Sequence, residues 1–346
     1  MLPPLPAELW FQIANHLTTH DLNLLSRSNR ALYSFILPIL YRDITFRGHE
    51  VSDAKTCRTL IRMSINLDLS RAIRSCTLRS MGSKALDYAI SSFKCFPNLS
   101  KVTLDGFVMD EYQLDQLLIN IDKHPFSLKL TLGAFAAADP RRRGVIKPLI
   151  YQLNGPLPRL TTLSITNISN LLVTMPPFAY WMTTPTLEHL YLDDNSFLLG
   201  CSTGPLSTPF PKLKTLHIAE AHNVDMKLFG LMPLLEVLSF IYSDATALPK
   251  QSLPRLCHYA GAIESLAQFV PGRPIHTVEL WPSHEPFCYS SLGTPTPNFG
   301  SLTTIRSLVI RGAKCQLEAL IFSVAACPTL HTLEIKQAWS IRTTPV

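Results

Sequence analysis

An eight-residue phrase recurs along most of this chain. It has proline at its first position and apolar residues at its third, sixth and eighth positions, and it is clearest at 158–165, 185–192, 211–218 and 233–240. The same form appears at 97–104 and 328–335, and looser copies lie at 73–78, 275–280 and 305–310. Successive prolines at 158, 185, 211, 233 and 254 are spaced by 27, 26, 22 and 21 residues. A fixed period of this length predicts one supersecondary unit per copy, stacked on its neighbours.

The last two apolar residues of the phrase are two positions apart, so they point to one side of a short strand. The first apolar residue then packs beneath the turn that leads into the strand, and one copy cannot bury its apolar side alone. The period and the core Leu-x-x-Leu-x-Leu resemble leucine-rich repeats. The resemblance implies an α/β fold over residues 71–346: an irregular solenoid with a curved parallel sheet on the concave side and helices and loops on the convex side.

Several segments depart from the simple phrase. The copy that begins at Pro254 has Tyr259 and Gly261 in place of the apolar pair, and we expect it to be degenerate. Segments 85–90, 112–121 and 317–323 have the composition and spacing of convex helices. Two long interruptions lie at 133–157, which carries three consecutive arginines, and at 282–300, which is rich in Pro, Ser, Thr and Gly. Long loops on a rigid array are disordered or used for binding.

The first forty residues follow a different pattern. Pro6 suits the start of a helix, and Glu8 suits its first turn, where the helix dipole favours a carboxylate. Leu9, Ile13 and Leu17 then recur every four residues and form one row on that helix. A second helix is predicted after Thr18, because Asp21 three residues later completes a capping box.

A third apolar segment runs from residue 32 to residue 41, and Pro38 should end or kink its helix. Together the three helices resemble the F-box, whose pattern is matched at ten positions. These are Leu5, Pro6, Glu8, Leu9, Ile13, Leu17, Asp21, Leu22, Arg30 and Leu32. Many F-boxes carry tryptophan where Leu32 stands, and the segment at 37–42, Leu-Pro-Ile-Leu-Tyr-Arg, resembles the variant common in fungal F-box proteins. The competing interpretation is an ordinary N-terminal helical hairpin packed on its own domain.

The F-box resemblance implies that residues 1–45 form a module that docks on a Skp-type adaptor and, through it, on a cullin. Residues 46–70 would connect it to the repeats, with an edge strand at 43–46. The residues implied in adaptor binding, or in the core directly beneath, are Leu5, Pro6, Glu8, Leu9, Ile13, Leu17, Asp21, Leu22 and Leu25.

Composition limits the cellular location of the protein and the kinds of partner it can bind. Apolar residues make up 47% and charged residues 16% of its 346 positions, which argues against disorder. The eight cysteines show no Cys-x-x-Cys spacing, as in a reduced intracellular protein, so we expect a cytoplasmic and/or nuclear location. No signal peptide or membrane span is indicated. The formal charge of +6 lacks the clustering that nucleic-acid binding needs, so neither nucleic acid nor membrane is an expected partner.

The sequence contains no convincing pattern of catalytic or metal-binding residues. Gly200, Ser202 and Gly204 match the nucleophile elbow, but the prolines that follow forbid the helix it requires. His16 and His20 are four apart without the glutamate of a zinc protease, and Cys257-His258 cannot easily bind one metal together. We therefore expect no enzyme activity, no catalytic residue, no metal and no cofactor, and a hydrolase acting through Ser202 is the least favoured reading.

What remains is a surface for recognition. The residues between and after the apolar pair of each strand face the concave side, and their mixed aromatic and charged character suits a protein partner. The predicted substrate-binding residues are Tyr191, Asp193, His217, Glu279, Trp281, Arg311, Glu334 and Lys336. The sequence thus predicts a substrate-receptor subunit of a Skp-cullin-F-box ubiquitin ligase, acting in ubiquitin-dependent protein degradation. The alternative is a leucine-rich-repeat interaction scaffold with no link to ubiquitin.

Overall fold

The computed structural model of the chain divides into two compact units, residues 1–167 and 168–346, here called the N-terminal and C-terminal units. The division falls inside the predicted repeat span. The structure describes residues 6–47, 53–79, 82–107, 113, 116, 117, 119, 120, 126–132, 160–166, 185–194, 210–221, 226–242, 248, 252–262, 265–270, 272–281, 302–313 and 327–337.

The N-terminal unit opens with three helices, α1 (Ala7–His16), α2 (Thr19–Ser28) and α3 (Arg30–Leu40). Thr18 caps α2 as predicted, because its hydroxyl accepts from the amide of Asp21 and the Asp21 carboxylate accepts from the amide of Thr18. Asn29 caps α3 in a similar way through the amide of Ala31. Pro38 lies in the last turn of α3, so the helix continues for two residues beyond it before ending.

The rest of this unit is a parallel sheet with helices. Its elements are β1 (Asp43–Arg47), α4 (Asp53–Ile65), α5 (Leu67–Ala72), β2 (Ser75–Arg79), α6 (Ser83–Phe93), β3 (Lys101–Phe107), β4 (Phe126–Leu132) and β5 (Leu160–Thr166). Each strand pairs in parallel with the next along the chain. Helix α4 packs against α6, and α5 packs against α3.

The C-terminal unit repeats the same arrangement. Its strands are β6 (His189–Asp194), β7 (Thr215–Ala221), β8 (Val237–Tyr242), β9 (His258–Ala262), β10 (Thr277–Trp281), β11 (Ser307–Ala313) and β12 (Thr332–Gln337). They also pair in parallel in chain order. Between them lie 3₁₀ turns at Met226–Leu231 and Leu302–Thr304 and the short helix α7 (Leu266–Phe269).

The recurring phrase has the structural effect predicted for it. In the copy at 185–192, Leu187, Leu190 and Leu192 are all essentially inaccessible to solvent. Residues just before each strand share one main-chain acceptor: the amides of Lys214 and Thr215 both donate to the carbonyl of Glu188, at 2.8 and 3.0 Å. The same pair of hydrogen bonds to one carbonyl recurs at every later strand of the unit, so each copy is fixed to the one before it.

These observations support the predicted mixed α/β fold with a parallel, leucine-rich-repeat-like sheet. The edge strand predicted at 43–46 is present as β1, and the convex helix predicted at 85–90 is present as α6. Strand β4 and helices α4 and α5 were not predicted. Strand β4 has only the alternating pair Leu128 and Leu130 without the leading leucine, and α4 and α5 fall in the segment that we interpreted as a connection.

The copy at 254–261 departs from the phrase in sequence but not in fold, because β9 pairs in register with both β8 and β10. Its core is built differently, with the fully buried Tyr259 ring stacked on Phe269 at a centroid distance of 5.3 Å. The predicted helix at 317–323 and the two long interruptions at 133–157 and 282–300 lie outside the described residues, as does most of 112–121.

Candidate functional site

The three N-terminal helices enclose a small core of their own. Ala14, Leu22, Leu32 and Ile36 are buried at its centre. Six partly buried apolar side chains surround them: Trp10, Leu17, Leu25, Phe35, Ile39 and Leu40. A core of this size leaves part of each amphipathic helix without a partner inside the module, because three short helices bury little surface.

The outer side of these helices exposes large apolar residues. Leu9 and Ile13, which lie one turn apart on α1, are each 42% exposed. Phe11, Leu24 and Tyr33 are also exposed. The ring of Phe11 meets the half-buried Phe35 edge to face at 6.0 Å, which holds it in place. Leu9 and Ile13 share one face of α1, whereas Phe11 lies on another side, and this many exposed large apolar side chains on one small module favours an interaction site. We call Leu9, Phe11, Ile13, Leu24 and Tyr33 the helical apolar surface.

The predicted adaptor-binding residues divide into two sets. Pro6, Glu8, Leu9 and Ile13 are exposed, whereas Leu17, Asp21 and Leu25 are partly buried. Leu22 is a core residue and is therefore available only as support beneath the surface. Leu5 lies outside the described residues. Phe11 was missed because it does not belong to the row of Leu9, Ile13 and Leu17 from which the first helix was recognised. Leu24 and Tyr33 lie on the two later helices, outside that row.

The second candidate surface is the outward-facing side of strands β6–β12. Pairing places the middle outward residue of each strand in one row, which runs Tyr191, His217, Ser239, Ala260, Glu279, Val309 and Glu334. Arg311 and Lys336 are paired two positions further along their strands. Seven of the eight predicted residues can be placed on this face. The side chain of the eighth, Asp193, lies outside the described part of the chain.

An ion pair with a second hydrogen-bond donor to its carboxylate lies on this face. One oxygen of Glu279, Oε1, accepts from Nε of Arg311 on β11 and from Nε1 of Trp281 on its own strand. The Glu279 side chain is only 16% exposed, whereas that of Arg311 is 47% exposed. Burial raises the pKa of Glu279, but the hydrogen bonds from Arg311 and Trp281 outweigh it and hold the pKa below its usual value. The carboxylate is therefore ionised and fixed.

An aromatic row crosses the same face. The rings of Tyr191 and His217 are 6.1 Å apart, and those of His217 and Trp281 are also 6.1 Å apart in an edge-to-face arrangement. His217 and Trp281 belong to strands three positions apart, β7 and β10, which would separate their backbones by about 14 Å at the usual spacing. The rings must therefore lean toward each other over β8 and β9. We call Tyr191, His217, Glu279, Trp281 and Arg311 the concave cluster.

Small residues make this approach possible. Beneath the two rings lie Ser239, Ala260 and Ala262, and their exposed fractions are 8%, 4% and 0% although they stand on an outward-facing side. The Ser239 hydroxyl is buried and has no hydrogen-bond partner among the residues that the structure describes. These three residues were missed by sequence analysis. They occupy the outward positions of two copies, but small side chains were not counted as candidates.

Two histidines near Glu279 are neutral at neutral pH. Burial lowers the pKa of His217 and of His258, and the negative charge of Glu279 only partly opposes it. The sequence analysis considered His258 only as a metal ligand, and its contribution to this face was missed. Glu334 and Lys336 form their own ion pair at 3.0 Å, and Glu334 also acts on Arg311 through its charge.

The matching side of the N-terminal unit has different chemistry. Thr45, Thr77 and Thr103 lie in register on β1, β2 and β3, and Arg79 pairs with Asp105 at 3.4 Å on the same strands. These side chains are polar, and they offer no large apolar anchor of the kind that dominates protein interfaces. The concave cluster of the C-terminal unit is therefore the stronger candidate for a recognition site.

The candidate catalytic and metal-binding residues named from the sequence can be placed as follows. Within the described ranges, no group of three His, Cys, Asp or Glu side chains could hold a metal ion. Ser202 lies outside those ranges, and His16 and His20 are exposed on the N-terminal helices. None of the helices in the described portion is long and apolar enough to cross a membrane.

No protein-family model matches this sequence. No curated protein matches it either. Among solved structures, the chain is similar to one in the crystal structure of the Rad7 and Elc1 complex in yeast, with a TM-score of 0.50 and 13% identity. The alignment covers 98% of this chain and 91% of the yeast chain. At this identity the similarity concerns the fold, and it agrees with the repeat architecture described above.

Proposed function

We propose that this protein is the substrate-receptor subunit of a Skp-cullin-F-box ubiquitin ligase. The N-terminal helices bind the Skp-type adaptor, and the repeat surface binds a protein substrate. The observation that carries the proposal is the helical apolar surface, which lies on a three-helix module whose sequence resembles the F-box. The similar yeast structure is a complex of two proteins, Rad7 and Elc1, and this supports an assembly role for a chain of this fold.

The energetics of the helical apolar surface favour a partner. Complete burial of a fully exposed Leu or Ile side chain contributes roughly 1.5–3 kcal/mol, so covering Leu9 or Ile13, each 42% exposed, contributes about 1 kcal/mol. Phe11, on another side of α1, adds an exposed aromatic ring that packs against Phe35, and aromatic rings contribute strongly to interface energetics. Leu22 and Leu32 support the surface from below and keep the helices in position.

In this role the protein performs no bond chemistry. It holds a substrate lysine near ubiquitin carried by another subunit, so its contribution is a high effective concentration and a favourable orientation. The proposal accordingly includes no cofactor and no catalytic residue. It places the protein in the cytoplasm, the nucleus or both.

The test is adaptor binding by the full chain. Replacing Leu9 and Ile13 by Asp puts two charges on the helical apolar surface without touching the buried core, so we expect loss of binding to a purified Skp-type adaptor in isothermal titration calorimetry. A matched control replaces Ile65 and Leu67 by Asp, because these exposed apolar residues lie on α4 and α5. The control should bind like the unmodified protein.

Circular dichroism of both variants separates loss of folding from loss of binding. If the Leu9 and Ile13 variant is folded and still binds the adaptor, the assignment is wrong. In that case the alternative, a repeat scaffold unconnected to ubiquitin, is favoured by the concave cluster, which needs no adaptor to bind a partner.

A further inference from the structure

One side of the Arg311 guanidinium is hydrogen-bonded, and the other side is exposed to solvent. Its Nε donates to the partly buried carboxylate of Glu279, yet almost half of the Arg311 side chain is exposed. A guanidinium has five N–H donors in a planar fork, so the two terminal nitrogens can still bind a second carboxylate. The structure records no acceptor for those nitrogens among the residues it describes. Arg311 is thus a pre-oriented donor pair on the concave face.

The charges around Arg311 limit what it can bind. Arg311 and Lys336 supply two positive charges, Glu279 and Glu334 supply two negative ones, and burial keeps His217 and His258 neutral. Among the side chains that the structure describes here, these charges sum to zero. A ligand group with one negative charge can use the open side of Arg311, whereas a doubly charged phosphate would meet no excess of positive charge to balance it.

The rings beside Arg311 supply an apolar contact. Trp281 donates to the same Glu279 oxygen as Arg311 does, so its indole and the guanidinium are immediate neighbours. The indole continues into the rings of His217 and Tyr191. In an extended peptide, side chains two residues apart lie on the same side and about 7 Å from each other. One such side chain can rest on the rings while the other reaches Arg311.

We propose that the concave cluster binds an extended, unphosphorylated peptide segment of its partner in which an aspartate or glutamate lies about two residues from an aromatic or large aliphatic side chain. The carboxylate pairs with the terminal nitrogens of Arg311, and the apolar side chain packs on Trp281 and His217. This inference rests on the proposed function, since it names the class of substrate segment that the receptor recognises.

The first experiment selects peptides with the purified full chain alone. A phage-displayed library of random twelve-residue peptides is panned on the immobilised protein, and the retained sequences should be enriched in Asp or Glu close to an aromatic or large aliphatic residue. Arg311→Gln should remove the acidic preference. Arg306→Gln, an exposed arginine just before the same strand, should retain it. Absence of acidic enrichment with the unmodified protein overturns the proposal.

The second experiment measures affinity by fluorescence anisotropy. One selected peptide is synthesised with Asp, Asn or phosphoserine at the acidic position. The Asn peptide, and the Asp peptide on Arg311→Gln, should each bind about tenfold more weakly, because one charge-assisted hydrogen-bonded pair is lost. The phosphoserine peptide should bind no more tightly than the Asp peptide. Unchanged affinity on Arg311→Gln, or tenfold tighter binding of phosphoserine, contradicts the inference.

A third variant guards against misfolding. Arg311→Gln leaves the Glu279 carboxylate without its cation, whereas the double variant with Glu279→Gln removes both charges together and is less disruptive. It should be folded and should also lack the acidic preference. Because no adaptor is present, failure of these experiments leaves the adaptor assignment intact, and failure of adaptor binding leaves this peptide site intact.

Discussion

At the residue scale, Tyr259 and Gly261 show how one copy of the phrase keeps its strand without its two leucines. A Cβ atom built on Gly261 would lie 2.4 Å from the Tyr259 hydroxyl oxygen, so the tyrosine ring occupies the space that the second apolar side chain fills elsewhere. The Tyr259 hydroxyl is satisfied, since it donates to the carbonyl of Ala262 at 3.3 Å. The pair works only because one residue is large and the other has no side chain.

Replacing Gly261 by Ala should therefore destabilise the protein. The new Cβ would also lie 2.3 Å from the main-chain oxygen of Phe240, which cannot rotate away, and overpacking of this kind costs about 2 kcal/mol. Thermal unfolding measures the effect. Gly230→Ala is the control, because a Cβ there meets nothing within 4 Å and should leave the melting temperature unchanged. Equal melting temperatures for both variants would contradict the packing described for Tyr259.

Glu279 illustrates what residue types alone can indicate. Its outward position and those of Trp281 and Arg311 follow from the alternation of side chains along a strand, so all three were predicted as concave residues. That one carboxylate oxygen joins the other two was not predictable. Arg311 is 32 residues away along the chain, and only the pairing of β10 with β11 brings it to Glu279.

At the element scale, the local signals of the N-terminal helices were sufficient. The capping box of α2 involves residues three apart, and the structure contains both of its hydrogen bonds. Helices α4 and α5 were missed although each carries a local signal, because the segment was interpreted as a connection. Helix α4 buries Leu60 and Met63 on one face, and α5 is six residues long, begins at the Asn66 cap and packs against α3. Local patterns thus identify an element when its signal is complete within one or two turns.

Removing the cap should loosen α2 locally. Thr18→Ala loses the hydroxyl that accepts from the Asp21 amide and donates to its carboxylate at 2.6 Å, at a cost of about 1 kcal/mol. Hydrogen–deuterium exchange of peptides covering residues 18–28 should become faster, with little change in the repeats. Thr19→Ala, at the neighbouring exposed position, is the control. Equal exchange in both variants would show that the capping box does not stabilise the helix.

At the scale of the N-terminal unit, the repeat architecture begins earlier than the sequence suggested. The carbonyl of Arg42 accepts from the amides of Arg74 and Ser75, both at 2.9 Å, and the carbonyl of Arg74 accepts in the same way from Ser100 and Lys101. Strand β1 then pairs along its whole length with β2. The last residues of the predicted F-box therefore contribute to the repeat sheet, and a cut at residue 45 would divide a strand.

A truncation lacking residues 1–45 should consequently be less stable than the unmodified protein. It loses the Arg42 carbonyl and most of β1, and it leaves β2 as an uncovered edge. Circular dichroism melting should show a lower midpoint for this truncation, whereas Leu9→Asp with Ile13→Asp should melt close to the unmodified protein. If the truncation melts normally, β1 does not contribute to the sheet, and truncation would be as clean a test of adaptor binding as substitution.

By itself the sequence determined where most strands lie, which side of each is buried and which residues face outward, because these properties depend on spacings of two to eight residues. It also determined the start of α2 through its cap. Only the tertiary structure decided which outward residues meet: His217 reaches Trp281 across the two intervening strands, β8 and β9, because Ser239 and Ala260 between them are small. Such contacts depend on the combined sizes of side chains on several strands, and no single copy of the phrase contains that information.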